Sequence, residues 1–195
     1  MAELPPAVRD AVRRAEDRDF AYSCEPAVGA LLATLAAAVP SGGRILELGT
    51  GCGVGTAWLA YGMSGRGGQR LVTVEKDQAL ADAVAGYPWT VAVDTRVGDI
   101  ERLLPELGTF DLVFADAEGG KWSGLDLTID ALRPGGTLVV DDMDTTRYPE
   151  ERYVARIDGV RKALLADDRL VTAELPTASG IIVAARRHTE THGGS

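Results

Sequence analysis

The chain has 195 residues, 46% of them hydrophobic and 25% charged. That is ordinary globular composition at the size of one domain, enough to bury a core without disulfide or metal staples. The formal net charge is −9, with 29 acidic against 20 basic residues, so a polyanion would be repelled and nucleic acid is not the expected partner.

No stretch approaches the roughly 18 uncharged apolar residues of a membrane span, so no membrane partner is expected. The opening MAELPPAVRDAVRRAEDRD is charged throughout and lacks a signal-peptide core, which makes a cytoplasmic location the expectation. Cys24 and Cys52 give neither a disulfide framework nor a zinc spacing. The histidines, His188 and His192, lie in the polar run RRHTETHGGS, read as a disordered tail over 188–195. Imidazole chemistry, whether a Ser-His-Asp triad or a zinc site, is therefore not expected in the folded body. A metal here would be held by oxygen.

Two helical stretches come first, over 5–18 and 26–38, with prolines near each start, where proline is tolerated. Short apolar runs then alternate with helix-compatible stretches. The runs are 44–48, 70–74, 90–97, 110–115 and 136–140; the stretches lie near 54–63, 77–86, 100–107 and 121–132. That alternation predicts a parallel sheet covered on both faces. A long helix over 150–167 follows, then strands at 169–175 and 180–186. The four residues between them allow only an antiparallel pair. The expected fold is α/β and Rossmann-like: a seven-stranded, mostly parallel sheet with helices on both faces and an antiparallel C-terminal strand. One domain spans 1–187, with its N-terminal helices inside 5–39.

The segment Glu47-Leu-Gly-Thr-Gly-Cys-Gly-Val-Gly-Thr56 follows the first strand and opens a helix. Glycines there let the backbone turn sharply and approach a ligand, beyond the strand ends where open parallel sheets bind ligands. One alternative is a purely structural glycine turn. A second, the dinucleotide fingerprint, fails because its sixth position is Val54 or Thr56 rather than glycine. An acid at Glu47 suits a cationic ligand better than a pyrophosphate.

Residues 47–53 resemble the first motif of class I S-adenosylmethionine-dependent methyltransferases. Over roughly 20–186 the later checkpoints fit the same resemblance: Val74-Glu75-Lys76-Asp77, Gly98-Asp99-Ile100 and Leu132-Arg-Pro-Gly-Gly-Thr-Leu-Val-Val140. It implies S-adenosylmethionine as cofactor, held by Glu47, Gly49, Thr50, Gly51, Cys52, Gly53 and Thr56. Glu75 and Lys76 would lie at the ribose, and Asp99 and Ile100 at the adenine. Asp116 would lie beside the cofactor. Pro26 and Gly29 match a Pro-x-x-Gly step of the O-methyltransferases, which implies a contact from Ser23 or Glu25 to the methionine end; a simple helix cap is the alternative.

Asp116 after the fourth strand, and Asp141 and Asp142 after the fifth, resemble the metal-dependent O-methyltransferases of the catechol and caffeoyl-CoA type. There an Asp and an Asp-Asn pair hold magnesium. Here Asp142 replaces the Asn. The resemblance implies a divalent cation on Asp116, Asp141 and Asp142, and three carboxylates suit Mg²⁺, Mn²⁺ or Ca²⁺. The alternative has Asp141 and Asp142 capping a turn and facing water.

The lysine base of that group lies three residues after the strand-four Asp, which here is Gly119. Lys121, five after, is the candidate base, with Glu118 a weaker one and a surface lysine at a helix start the alternative. Trp122, Tyr148 and Tyr153 are candidates for the acceptor pocket, Trp89 is expected against the sheet, and the 144–149 loop is the expected seat of specificity.

The leading reading is transfer of a methyl group to a hydroxyl of a small molecule with help from a divalent metal. A homodimer is the assembly the resemblance implies. The rivals are metal-independent transfer to nitrogen, carbon or a carboxylate, and a non-catalytic cofactor-binding protein. Nucleic-acid methyltransferase motifs are lacking: Asp116-Ala-Glu-Gly stands where an Asn/Asp-Pro-Pro-aromatic step would be.

Overall fold

The computed structural model describes residues 3–65 and 67–188; the segment 189–195, with His192, lies outside them. Two helices, α1 (Pro6–Glu16) and α2 (Pro26–Ala38), precede the sheet. Each starts on a proline whose missing N–H costs nothing in a first turn. There follow β1 (Arg44–Leu48), α3 (Val54–Met63), β2 (Arg70–Glu75), α4 (Gln78–Ala85), β3 (Ala92–Val97), α5 (Ile100–Leu107), β4 (Phe110–Ala115), α6 (Leu125–Asp130) and β5 (Leu132–Val140). A short 3₁₀ turn over Thr145–Arg147 leads to α7 (Glu151–Ala166), β6 (Leu170–Leu175) and β7 (Ile181–Arg186).

The seven strands form one sheet in the order β3-β2-β1-β4-β5-β7-β6. Strands β1 to β5 pair in parallel, and β7 runs antiparallel to both neighbours. The order reverses between β1 and β4. That switch point opens a crevice at the carboxyl ends of the strands, where such sheets bind ligands.

Period-two alternation assigns the core. Leu46, Leu48, Val72, Val74, Val113, Leu138 and Val140 face one side, with Leu104 of α5 and Ile157, Val160 and Leu164 of α7. Ile45, Leu71, Leu112, Phe114 and Val139 face the other, with α1, α2 and α3. A sheet covered on both faces needs continuous apolar strands, and β4 (FDLVFA) is buried at every position.

Three boundaries differ from the sequence expectations. Strand β3 starts at Ala92 because residues 90 and 91 lie before the first pairing with β2. Strand β5 starts at Leu132, which pairs with Phe110 before a register shift and continues through Pro134 and Gly135. The helix expected from 121 starts only at Leu125. Residues 118–123 form a tight turn instead, with Trp122 N–H donating to Glu118 O at 2.8 Å and Gly120 N–H to Ser123 O at 2.7 Å. Gly120 (φ +78°) and Gly124 (φ +69°) take a left-handed backbone that ends helical propagation.

Candidate active site

The glycine loop after β1 is braced from below and from the side. Gly51 N–H donates to Glu75 Oε2 and Asp77 N–H to Glu75 Oε1, both at 2.9 Å. The carboxylate at the end of β2 thus fixes the loop and the start of α4 together. A side chain at Gly49 would put its Cβ 2.9 Å from Asp116 O, so the loop after β1 and the turn after β4 approach as closely as backbones can. Arg14 of α1 reaches over and donates from Nε to Cys52 O at 2.8 Å.

Under the loop lies a small polar knot. Thr56 Oγ1 and Thr73 Oγ1 donate to Glu47 Oε2 at 2.5 and 2.6 Å. Thr50 Oγ1 lies 2.5 Å from Thr73 Oγ1. Glu47 Oε1 is buried without a hydrogen-bond partner among the described residues. Burial drives the Glu47 carboxyl up to about 7, against the two hydroxyl hydrogen bonds that favour its charge. Glu47, Thr50 and Thr56 were expected to meet the ligand. Their side chains instead point inward and hold the loop's shape, because β1 alternation aims Glu47 into the α3 face of the sheet.

The remaining cofactor candidates divide. Asp99 is exposed and caps α5, accepting from Arg102 N–H at 3.2 Å. Ile100 packs on the core at its side, and Lys76 is exposed. Ser23 Oγ is buried without a hydrogen-bond partner among the described residues. It lines an apolar hollow of about 460 Å³ between α1, the 19–26 segment and α3, with Phe20, Cys24, Val54 and Trp58.

The acids after β4 and β5 meet across the crevice, but not as a metal cradle. Among the described residues no group of three or more His, Cys, Asp or Glu side chains is spaced to hold a metal ion. Asp141 and Asp142 are already engaged. Asp141 is buried, and its Oδ1 accepts from Ser179 Oγ and from Asp142 N–H at 2.8 Å. Asp142 takes a left-handed backbone (φ +61°), which turns its side chain back toward β4. There Lys121 Nζ donates to Asp142 Oδ2 at 3.1 Å and to Asp141 O at 3.3 Å. Lys121 is only 3% exposed, not a surface residue at a helix start. The donor set therefore does not fit a divalent cation: the acids are not spaced for one, and the Asp142 carboxylate is paired with the Lys121 ammonium.

Asp116 carries no side-chain hydrogen bond among the described residues, and its carboxyl is held well above the usual carboxylate range. Burial is the main cause, Asp141, Asp142 and Glu47 add to it, and Lys121 opposes it. Burial also raises Asp141, against the bond from Ser179.

Sequence reasoning missed two neighbours, Cys24 and Ser179. Cys24, which lines the hollow beside Ser23, is pushed well up by burial first and then by the charges of Asp116, Asp141 and Glu47. Ser179, from the turn before β7, fixes Asp141. The Tyr148 hydroxyl, raised by burial and by Asp142, borders the same acids. Tyr148 was expected at the acceptor pocket from its place after β5, whereas Cys24 and Ser179 carried no comparable signal. Trp122, Tyr153 and Tyr148 form an aromatic wall at centroid spacings of 5.4 and 5.8 Å. The wall starts beside the lysine: Lys121 Nζ lies 5.4 Å from the Trp122 ring centre. Trp89 packs against one face of the sheet as expected, beside Tyr87, and donates to Val84 O at 2.9 Å.

Residues 46–143 match the family described as a methyltransferase domain. A candidate O-methyltransferase of Mycolicibacterium vanbaalenii is 34% identical over 182 residues, covering 85% of this chain and 78% of that protein. A similarly described protein of Mycolicibacterium smegmatis is 31% identical and covers 92% and 90%. Among solved structures, the O-methyltransferase TomG of Streptomyces achromogenes, in complex with S-adenosylmethionine, superposes with a TM-score of 0.80 at 24% identity, covering 96% and 92%. An O-methyltransferase of Bacillus cereus, in complex with S-adenosylhomocysteine, gives 0.81 at 23% identity, covering 96% and 93%.

Proposed function

This chain belongs to the methyltransferase-domain family, and we propose that it transfers the methyl group of S-adenosylmethionine to a hydroxyl oxygen of a small-molecule acceptor. The observation that carries the reading is the joint arrangement at the switch point. A glycine loop braced by Glu75 stands within backbone contact of the turn that carries Asp116. A bound cofactor and an acid-lined acceptor site would therefore share one crevice. The O-methyltransferase names of the curated relatives support oxygen as the atom methylated.

In this reading the sulfonium end of the cofactor faces the acids of β4 and β5, whose negative charge attracts it. The acceptor lies along the Trp122–Tyr153–Tyr148 wall. The acceptor oxygen attacks the methyl carbon in line. A C–O bond forms, the S–C bond breaks, and its electron pair stays on sulfur. Holding the two reactants in that line can supply about 7–11 kcal/mol of the barrier.

The hydroxyl proton must leave with the attack. Lys121 was the expected base, but its Nζ donates to Asp142 and Asp141 and offers no lone pair in this arrangement. The proton acceptor in this reading is Asp116, whose carboxylate has no hydrogen bond among the described residues and whose raised affinity for a proton suits general-base work. No step passes through a divalent cation, since the residues present do not fit one. The acceptor is a small molecule rather than nucleic acid, and the assembly suggested is a homodimer, which sedimentation velocity checks.

The test pairs two measurements. Calorimetric titration of S-adenosylmethionine into the purified protein should show binding that survives EDTA. Incubation with methyl-labelled cofactor and a panel of phenols, alcohols, amines and carboxylic acids should label a hydroxyl compound. Label on an amine or acid overturns the choice of oxygen. No binding under any condition overturns the reading as a whole.

A further inference from the structure

We propose that Arg14 of α1 is a positioning residue for the cofactor: through its bond to the Cys52 carbonyl it holds the glycine loop in the shape that binds S-adenosylmethionine. Its role in binding rests on the transferase reading; its hold on the loop does not.

Three observations carry it. The loop is gripped at adjacent residues by side chains of opposite charge. Gly51 N–H donates to Glu75 Oε2 at 2.9 Å, and Cys52 O accepts from Arg14 Nε at 2.8 Å. Hydrogen bonds with an ionised partner are the stronger kind. Glu75 belongs to the end of β2, whereas Arg14 reaches the loop from the N-terminal helix. The segment that matches the methyltransferase-domain family starts at residue 46, so the second grip comes from outside it.

The N-terminal arm also lies hard against the loop. A Cβ at Gly53 would fall 2.9 Å from Arg14 Nη2 and from Val84 Cγ2, and one at Gly51 would fall 2.9 Å from Phe20 Cζ. The residues on both sides of the held carbonyl therefore meet the arm directly. Gly49, Gly51 and Gly53 all take positive φ. A stretch so rich in glycine has little stiffness of its own, so its shape must be imposed from outside.

The guanidinium is aimed by its neighbours. Asp10 and Arg14 are four residues apart and share a face of α1. The Tyr87 hydroxyl donates to Asp10 Oδ2 at 3.0 Å, and the Arg14 guanidinium carbon lies 5.5 Å from the centre of the Tyr87 ring. Val8 and Ala11 bury the same helix among side chains of α2 and α3. Yet Arg14 Nη2 is buried with no hydrogen-bond partner among the described residues. A buried polar group left unpaired is destabilising, so stability alone does not account for an arginine here. The bond from Nε to the loop does.

The consequence for binding is preorganisation. A loop already held in its bound shape loses less conformational freedom when the ligand arrives. A loop released from Arg14 must be ordered by the ligand itself, and affinity falls.

The experiment has two arms. In the first, S-adenosylmethionine is titrated calorimetrically into the natural chain, Arg14→Met and Arg14→Lys, and the melting temperature of each cofactor-free protein is recorded. Arg14→Met keeps the apolar stem and loses the donor; its dissociation constant should rise about tenfold or more. Arg14→Lys keeps a charge and a donor and should recover part of that loss. Val8→Ala is the comparison: it loosens α1 through packing alone, and should lower the melting temperature more than Arg14→Met but the affinity far less. The second arm uses no cofactor. In a Cys24→Ser background, the rate at which a thiol reagent modifies Cys52 is measured. Cys52 is 2% exposed, so modification requires the loop to open, and Arg14→Met should speed it about tenfold.

Unchanged affinity in a folded Arg14→Met protein overturns the proposal, as does affinity that merely follows melting temperature across Arg14→Met and Val8→Ala. Lost affinity without faster labelling overturns it as well, because the loop is then not the route. Should Arg14→Met not fold, Arg14→Gln takes its place with the same outcomes required. If the natural chain binds no S-adenosylmethionine, the transferase reading fails and the role in binding with it, while the labelling rate still decides whether Arg14 holds the loop.

Discussion

Glu47 shows how one side chain couples the loop to pH. Its carboxyl is raised from 4.5 to about 7 by burial. Between those values the folded protein holds a proton that the unfolded chain has released. Stability from this group is therefore fully present below pH 4.5 and is lost as pH rises toward 7, by about 3 kcal/mol in all. Glu47→Gln should flatten the decline in melting temperature between pH 5 and pH 8, which a thermal scan across that range checks. Asp116 makes the opposite use of a raised carboxyl. As the proposed base it must be ionised, so transfer should fall as pH drops through its raised value. Asp116→Asn should slow transfer about a hundredfold or more at saturating S-adenosylmethionine, a loss in kcat that stands apart from any weakening of cofactor binding. Slowing below tenfold would move the proton elsewhere. The identities of Asp116, Lys121, Asp141 and Asp142 were legible in the sequence because they sit at strand ends. Their pairings were not. Ser179 and Cys24 reach the site from segments 38 and 92 residues from Asp141 and Asp116, and no local pattern announces such a meeting.

At the scale of elements, helices α2 and α3 cross at contact distance because glycines stand where they touch. A Cβ at Gly62 would fall 2.1 Å from Ala33 O, and one at Gly29 would fall within the Trp58 indole. Neither helix can shift freely, since both are pressed against β1 and β4 by Leu32, Leu59 and Phe114. Gly62→Ala should cost about 1–3 kcal/mol, more than its gain in helix propensity of about 1 kcal/mol returns. Denaturant unfolding measures this, and a variant as stable as the natural chain would show that the crossing can open. The element order was readable because apolar strands and helices alternate so regularly. The turn over 118–123 was not, because Lys121-Trp-Ser-Gly-Leu-Asp-Leu reads as helix unless Gly120 and Gly124 are known to take positive φ. The extra length of β5 was hidden for a related reason: Pro134 and Gly135 argue against a strand that a register shift in fact accommodates.

For the whole molecule, the two ends of the crevice come from different layers. Arg147, after β5, pairs with Glu25 at the start of α2, so the segment before α2 is tied to the loop proposed to meet the acceptor. A ligand seated between them stabilises the folded state by mass action. S-adenosylmethionine at a hundred times its dissociation constant should add about 2.7 kcal/mol, or roughly 5–10 °C in melting temperature for a chain of this size. Differential scanning fluorimetry reads that shift directly, and its absence at saturating cofactor would contradict the proposed function. No helix of the described residues is long and apolar enough to cross a membrane.

Strand β7 is made last of the seven, yet it lies between β5 and β6. On the ribosome, then, β1 to β5 can assemble as they emerge, but β5 waits with an open edge that includes Val139 and Val140. Only when the final strand arrives does the sheet close, and Ser179, just ahead of it, reaches Asp141 in the same event. The newborn chain therefore cannot own a finished catalytic centre before its sheet is complete, and a product cut short before residue 181 would carry an exposed apolar edge instead.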